Sequence, residues 1–405
     1  LPGKVFPMLP ERLSNNLCSL RPEEDRLAKV VWMQVSSEGE LQSYSVENAV
    51  MRSARRFTYE EVLKVLEGEK LGRGEKALTE ALHTMDRLRK VLHRRRVQGG
   101  ALDLDIAEPR VFLDKSGEVT EIREQRRDAA HHLIEEFMLL ANEAVARLAT
   151  ERTLAIIRRV HPSPPEGDLE GFLRFCRVLA PGVQVSGPED FQALVEAVRG
   201  QPAALILNLA LLRTMSRAEY SAAKGLHFAL ATDEYCHFTS PIRRYPDLQV
   251  HRALDTVLGR SQGRTAGRKK GHQLAPEDSP SLEQMAQHCS FKERRAEGAE
   301  REMTKLRVIY WLRERLGDRF TGIITAVFDY GFFVRLDGIL VEGMTPISEL
   351  RDDYYLLHEA QFALRGRHKG KIFRLGDPVE VELRRADPLS RQIDLRYLHH
   401  RSPKK

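Results

Sequence analysis

The sequence predicts an α+β protein in two parts: a large mixed portion of helices and strands, then a small all-β barrel. Three observations carry that expectation. Long stretches, 122–150 and 283–316, repeat apolar residues at helical spacing. Short segments between Val30 and residue 51 alternate as strands do. After Gly317 the pattern turns to period two, with five short strands in about eighty residues, the strand count of an OB-fold barrel. A chain of 405 residues has room for two or three domains and a sizeable core.

Taken in order, residues 1–30 start as loop around Pro2, Pro7 and Pro10, then predict a short helix and turn feeding a strand. Val30–Val35 alternates as that strand, and a second is expected near residues 41–51. Thr58-Tyr59-Glu60-Glu61 has the spacing of a capping box and opens a helix. Residues 76–97 read as a strongly basic helix ending in His93-Arg94-Arg95-Arg96. In Gly99–Asp105, Asp103 and Asp105 alternate as the polar face of a surface strand, and no metal is assigned to them.

The helix expected at 122–150 has an apolar stripe of Ile134, Met138, Ala141, Val145 and Leu148. His131, Glu135 and Asn142 lie beside it, either as a half-solvated flank or as a polar rail facing a ligand channel. Residues 160–168 form a proline-rich loop, and 169–218 alternate short helices with turns. Gly259–Ser281, with Arg260, Arg264, Arg268, Lys269 and Lys270, reads as a solvated loop. The helix at 283–316 carries Met285, Cys289, Ala296, Ala299, Met303, Leu306 and Tyr310 as a seam, with Glu300 beside its small residues.

In the C-terminal part, Phe320–Val327 and Phe332–Leu336 are strands joined by an Asp329-Tyr330-Gly331 turn. Further strands are expected near 339–346, 378–386 and 391–397. Alternation puts Phe332 and Val334 on one face and Phe333 and Arg335 on the other. A ring beside an arginine suits single-stranded nucleic acid. Phe320 and Phe332 serve equally well as core.

Composition narrows the classes. The net charge is +6 and the isoelectric point near 9.1, which favours a polyanionic partner. Four dispersed cysteines, with no CxxC spacing, signal neither a zinc site nor a disulfide framework, so a reducing cytoplasm is the expected setting. Mean hydropathy is −0.41 and no apolar run has the length of a membrane span.

The most informative stretch is His237–Asp247. Ser240-Pro241 fixes a stiff turn, Arg243 and Arg244 follow it, and Phe238 and Tyr245 flank it with rings. Pro246 then opens a helix through Leu254. A guanidinium pair at a helix N-terminus is a sensible place to hold phosphate; two surface arginines on a capped loop are the plainer reading.

Gly225-Leu226-His227-Phe228-Ala229-Leu230, followed by Tyr235–Leu248 and His251-Arg252, resembles the signature of the RNB family of exoribonucleases. Ala229 and Cys236 depart from the usual residues without touching the arginines. Leu9–Leu27 resembles a second motif of that family, and Arg294–Glu302 the segment whose glutamate lines the 3′-end pocket. Phe320–Leu350 with Arg374–Asp377 is similar to an S1 domain, the RNA-binding OB-fold.

The resemblance implies a catalytic-domain portion over 1–313, an S1 barrel over 314–399 and a short basic tail at 400–405. It implies hydrolysis of RNA from the 3′ end to nucleoside 5′-monophosphates by a monomer acting on single-stranded RNA with a free 3′ end. Arg243 would grip the reacting phosphate, with Arg244 second or structural; Glu300 would read the 3′ end or remain an exposed ion-pair partner. Tyr245, Tyr330, Phe333, Asp387 and Arg391 would contact RNA, although Pro346 replaces a histidine common in S1 domains.

The family's magnesium-binding cluster, Ile-Asp-x-x-x-x-x-Asp-x-Asp-Asp-Ala, does not occur in the sequence. Magnesium is therefore implied by the resemblance, with no ligand assigned here. Because the chain begins at Leu1, it is expected to be a piece of a longer enzyme and inactive alone. A non-cutting RNA-binding protein is the alternative, and an assembly factor using the long helix is the third class.

Overall fold

The computed structural model describes residues 2–401 apart from 73, 105, 126, 202 and 262–279. After a helical turn at Arg12–Leu17, β1 (Asp25–Val35) and β2 (Leu41–Arg52) form an antiparallel hairpin. Helix α1 (Tyr59–Leu66) begins with the expected capping box, Thr58 and Glu61 bonding each other's backbone N–H. Helix α2 (Lys76–Gln98) leads into a second hairpin, β3 (Glu108–Leu113) and β4 (Val119–Gln125).

Helix α3 (Ala129–Glu151) is capped by the Asp128 carboxylate, which accepts from the N–H groups of Ala130 and His131. Two short strands, β5 (Arg158–Val160) and β6 (Glu219–Ser221), pair across a helical excursion of α4 (Glu166–Leu179), α5 (Phe191–Val198) and α6 (Ala204–Thr214). Then come α7 (Tyr245–Ser261) and α8 (Leu282–Arg313).

The rest is β. Strands β7 (Arg319–Phe328), β8 (Gly331–Leu336), β9 (Glu342–Pro346), β13 (Pro378–Asp387) and β14 (Gln392–His400) close a barrel in the order β13-β14-β9-β8-β7. Between β9 and β13, a separate sheet is formed by β10 (Tyr355–His358), β11 (Ala363–Gly366) and β12 (Ile372–Arg374). Gly331 lets β8 turn in tightly: its φ is +146°, and a Cβ there would meet the Thr345 carbonyl oxygen at 2.2 Å.

Among the described residues three larger cores, and a small one of Ile157, Tyr220 and Ala286, hold the parts. The barrel interior, with Phe332, Val334, Val381 and Leu395, takes in Val308, Ile309 and Leu312 from the end of α8. A second core joins α3 (Val145, Ala149) to α7 (Val250, Leu254), Val46 of β2, and Cys236 and Phe238. The third lies among α4–α6, around Phe172, Phe191, Leu207 and Leu211.

The α+β division and the five-stranded barrel match expectation, and Phe332 is core. Several local expectations do not survive. Residues 101–104 are irregular rather than a strand, and Asp105 lies outside the described residues. Residues 122–125 finish β4, because the Asp128 cap starts the helix only at Ala129. On α3, Ile134 is exposed, while Ala130, Leu133, Ala144 and Ala146 join Val145 in the interior; close packing favours alanines over the larger stripe. On α8 the seam is absent in the middle: Ala296, Ala299 and Met303 are exposed. The buried residues of that helix lie only toward its two ends, Ala286 and Ser290 at one and Val308, Ile309 and Leu312 at the other. The loop expected at Gly259–Ser281 falls on α7 as far as Ser261, and its residues 262–279, with Arg264, Arg268, Lys269 and Lys270, lie outside the described residues, as do 402–405 of the basic tail.

Candidate functional site

The segment 235–247 is clamped from several elements. Asn142 of α3 is buried, donates to the Tyr235 hydroxyl (3.1 Å) and accepts from the Phe238 N–H (3.0 Å). Asn142 is thus a tether for the segment, not a solvated flank or a channel rail. His251 of α7 stacks on Phe238 and bonds its carbonyl at 2.9 Å. These contacts aim the following turn without taking part in it.

The turn is set by Asp247, which is fully buried. One oxygen of its carboxylate accepts from the Ser240 N–H at 2.7 Å and from Arg244 Nη2 at 2.8 Å. The Arg243 and Arg244 N–H groups both point back to the Ser240 carbonyl, at 3.3 and 3.1 Å. The two neighbouring arginines therefore part company. Arg244 is half-buried and ion-paired; Arg243 is exposed, and no hydrogen bond or ion pair holds its guanidinium among the described residues. Among the described residues, buried Thr239 Oγ1, Arg244 Nε and Asp247 Oδ2 have no partner, so the turn keeps unused polar capacity.

Behind the turn lies a polar cluster that sequence reading missed. The Tyr220 hydroxyl is 2.9 Å from His237 Nδ1, and Arg159 stacks on the Tyr220 ring and bonds Glu293 of α8 at 2.6 Å. Burial, with Arg244 and Arg159 close by, pushes the His237 pKa down to about 2; burial pushes His227 down to about 3. Both rings are neutral, and His237 Nδ1 shares a hydrogen bond with the Tyr220 hydroxyl. Only the three-dimensional pairing of β5 with β6 brings these residues together.

Tyr245 packs α7 on α8: its hydroxyl lies 3.8 Å from Met285 Sδ, and Arg252 sits over its ring. Glu300 is on the exposed middle of α8, apart from the Tyr220–Glu293 cluster in sequence and solvated.

On the barrel, Phe328 and Tyr330 stack with ring centres 5.1 Å apart and planes within 4°, and Phe333 meets Phe328 edge-on. Phe328, the residue missed here, could have been noticed from its i,i+2 spacing to Tyr330. Arg335 is not the arginine beside Phe333: it is half-buried and donates to the Ala107 carbonyl at 3.1 Å, docking the barrel on the chain before β3. Arg391 takes that place. It lines a cleft of about 420 Å³ with Phe333, Met344, Pro346, Arg385 and Lys305 of α8, and it pairs with Glu302. Asp387 faces its own hairpin, accepting from the Leu389 N–H and the Ser390 hydroxyl.

Among the described residues no three His, Cys, Asp or Glu side chains are grouped to hold a metal ion, so they do not fit a magnesium site. No described helix is long and apolar enough to cross a membrane.

Comparison with known proteins agrees with this division. A model of the RNB domain matches residues 1–260, and one of the S1 RNA binding domain matches 313–397. Ribonuclease R of Escherichia coli is 38% identical over 402 residues, covering 97% of this chain and 49% of that protein. The structure of Mycoplasma genitalium RNase R in complex with ribose-methylated single-stranded RNA superposes with a TM-score of 0.87 at 28% identity, over 98% of this chain and 62% of that one. The same enzyme in complex with double-stranded RNA gives 0.82 at 26% identity, over 98% and 65%. The chain spans about half the length of the curated relatives it matches.

Proposed function

The chain belongs to the RNB family and carries an S1 RNA-binding domain, and on that premise we propose that it works in 3′→5′ exoribonucleolytic degradation of RNA. The observation that carries the reading is the Arg243 guanidinium, unpaired among the described residues and presented at the start of α7 by a turn whose other arginine is ion-paired with Asp247. Residues 1–313 form the catalytic-domain portion, 314–399 the S1 barrel, and 400–405 a basic tail.

In this reading Arg243 binds the non-bridging oxygens of the last phosphodiester and stabilises the charge that builds as water attacks. Arg244 is a positioning residue that holds the turn through Asp247. Glu300, solvated on α8, accepts hydrogen bonds from the 3′-terminal ribose hydroxyls. Tyr245 flanks Arg243. Upstream, bases stack on Tyr330 and Phe333 while Arg391 holds phosphate; Asp387 shapes the hairpin that carries Arg391.

Magnesium would supply the hydroxide and neutralise charge in such a hydrolysis. Its ligands would be carboxylates outside the described residues.

The test incubates a 5′-labelled single-stranded oligoribonucleotide with the 405-residue chain and Mg²⁺. A retained but uncut complex is expected. No complex overturns the RNA reading; shortening from the 3′ end shows that the chain has its own metal site. If a longer protein containing this chain also binds without cutting, the protein is an RNA-binding member that does not hydrolyse.

A further inference from the structure

The sheet β10–β12 lies outside the barrel's strand order and was not legible as strands in the sequence. Its inner face is explained: Tyr355, Leu364 and Phe373 enter the barrel core, with Phe373 stacked on Phe332 at 4.9 Å. Its outer face is not, apart from buried Ala363. The register sets Leu356 opposite Arg365 and Ala363 opposite Arg374, and the Arg367 N–H continues the ladder to the Tyr354 carbonyl. By alternation Tyr354, Leu356, Arg365, Arg367 and Arg374 share that face. Tyr354 is 62% exposed and Leu356 47%.

The cations on this face are free. Among the described residues no carboxylate pairs with Arg365, Arg367, Arg374 or neighbouring Lys369. The nearby acids are engaged otherwise. Asp352 pairs with Lys371 at 3.2 Å. Asp353 accepts the backbone N–H groups of His368 and Lys369, at 3.0 and 2.6 Å, which fixes the loop between β11 and β12. The fit is close: a Cβ on Gly366 would stand 2.5 Å from Asp353 Oδ2. The acid organises the loop's backbone and leaves its cations outward.

We propose that this outer face, with Tyr354 as a stacking ring among Arg365, Arg367, Lys369 and Arg374, is a second binding surface for the backbone of single-stranded RNA, separate from the Tyr330–Phe333 platform. An exposed ring interleaved with unpaired guanidinium groups matches a base-and-phosphate ligand. An acidic protein surface would use the cations and leave the ring without a role. The proposal rests on the RNA reading above.

The experiment measures binding of the full 405-residue chain to RNA of two lengths, ~8 and ~30 nucleotides, bracketing the footprint of one OB-fold. It compares the parent with a variant carrying Arg365→Gln, Arg367→Gln, Lys369→Gln and Arg374→Gln, with Tyr354→Ala, and with Arg319→Gln as a cation control elsewhere on the barrel. For the long RNA, the four-fold variant should bind about 10-fold more weakly, with a salt slope lower by about 2–3, since each single-strand phosphate contact contributes about 0.7. Tyr354→Ala should lose about 5-fold. The short RNA, held by the platform, should bind all variants within about twofold.

An unchanged long-RNA slope overturns the proposal. So does an equal loss for both lengths, or a control that lowers the slope as much per charge. A four-fold variant that loses an acidic protein ligand while Tyr354→Ala keeps long-RNA affinity also overturns it. A parent that binds neither RNA sinks the underlying functional reading as well, and so marks a different failure.

Discussion

Arg244 Nη2 lies 2.8 Å from Asp247 Oδ1, and the same oxygen holds the Ser240 N–H. That relationship gives two adjacent arginines different work. Removing Asp247 leaves Arg244 partly buried and unpaired and the Ser240 N–H without its acceptor. Asp247→Ala should cost about 3–5 kcal/mol of stability, the range for breaking a buried pair. Arg243→Ala removes an exposed, unpaired side chain and should shift stability by no more than about 0.5 kcal/mol. Denaturant unfolding of both variants checks the contrast; equal losses would mean that both arginines are structural.

The catalytic half of that contrast concerns turnover. In a full-length protein containing this chain, Arg243→Ala should lower single-turnover 3′ degradation about 100-fold or more, as for loss of one transition-state donor. RNA affinity should change far less, since one phosphate contact contributes little to the whole. Parallel falls in affinity and rate would make Arg243 a binding group only.

What the sequence showed of this site follows from what is local. The Ser240-Pro241 turn, the Pro246 helix start, the Thr58 capping box and the alternation of Phe332 and Phe333 are all decided within a few residues, and the structure has each of them. Asn142 reads from the sequence as a half-solvated flank or a channel rail, and neither holds because its partners, Tyr235 and Phe238, come from about a hundred residues away. The Arg159–Tyr220–His237–Glu293 cluster needs β5, β6 and α8 to be assembled before it exists. The α8 seam failed for a related reason: periodicity reports which face is apolar, not whether anything covers it.

The neutral histidines behind the turn set a pH dependence. His227 and His237 have folded pKa values of about 3 and about 2, while an unfolded histidine titrates near pH 6.5. Above that value both states are neutral and these groups contribute no pH dependence. As pH falls below it the unfolded state takes protons that the folded state refuses, so stability is lost, by up to about 1.4 kcal/mol per pH unit for each group. The melting temperature should fall between pH 7 and 5, and His237→Asn should flatten the fall. An identical slope in that variant would show that His237 titrates normally in the fold.

The aromatic platform predicts a salt-insensitive loss. Phe328 and Tyr330 are about half exposed and stacked on each other, with Phe333 edge-on. Tyr330→Ala and Phe333→Ala should each weaken single-stranded RNA binding by about 1–3 kcal/mol, with the slope of affinity against salt unchanged, because stacking releases no counterions. A lowered slope in either variant would mean that the ring acts only by placing a nearby cation.

The pairing of Arg391 with Glu302 makes the last prediction opposite in sign. Arg391 reaches its cleft from a turn in which its own φ is +57°, so its backbone is fixed and its side chain is the adjustable part. Both partners are more than half exposed, which puts the pair in the class that contributes about 0–1 kcal/mol to stability. Glu302 also places a negative charge on Arg391, the cation to which the reading above assigns phosphate. Glu302→Gln should therefore leave unfolding nearly unchanged and tighten single-stranded RNA binding about 2–5-fold at low salt, the gain fading as salt screens it. Filter binding at two salt concentrations measures it. Weaker binding in Glu302→Gln would show instead that the glutamate is needed to hold Arg391 in place, and that the pair, not the free arginine, forms the binding geometry.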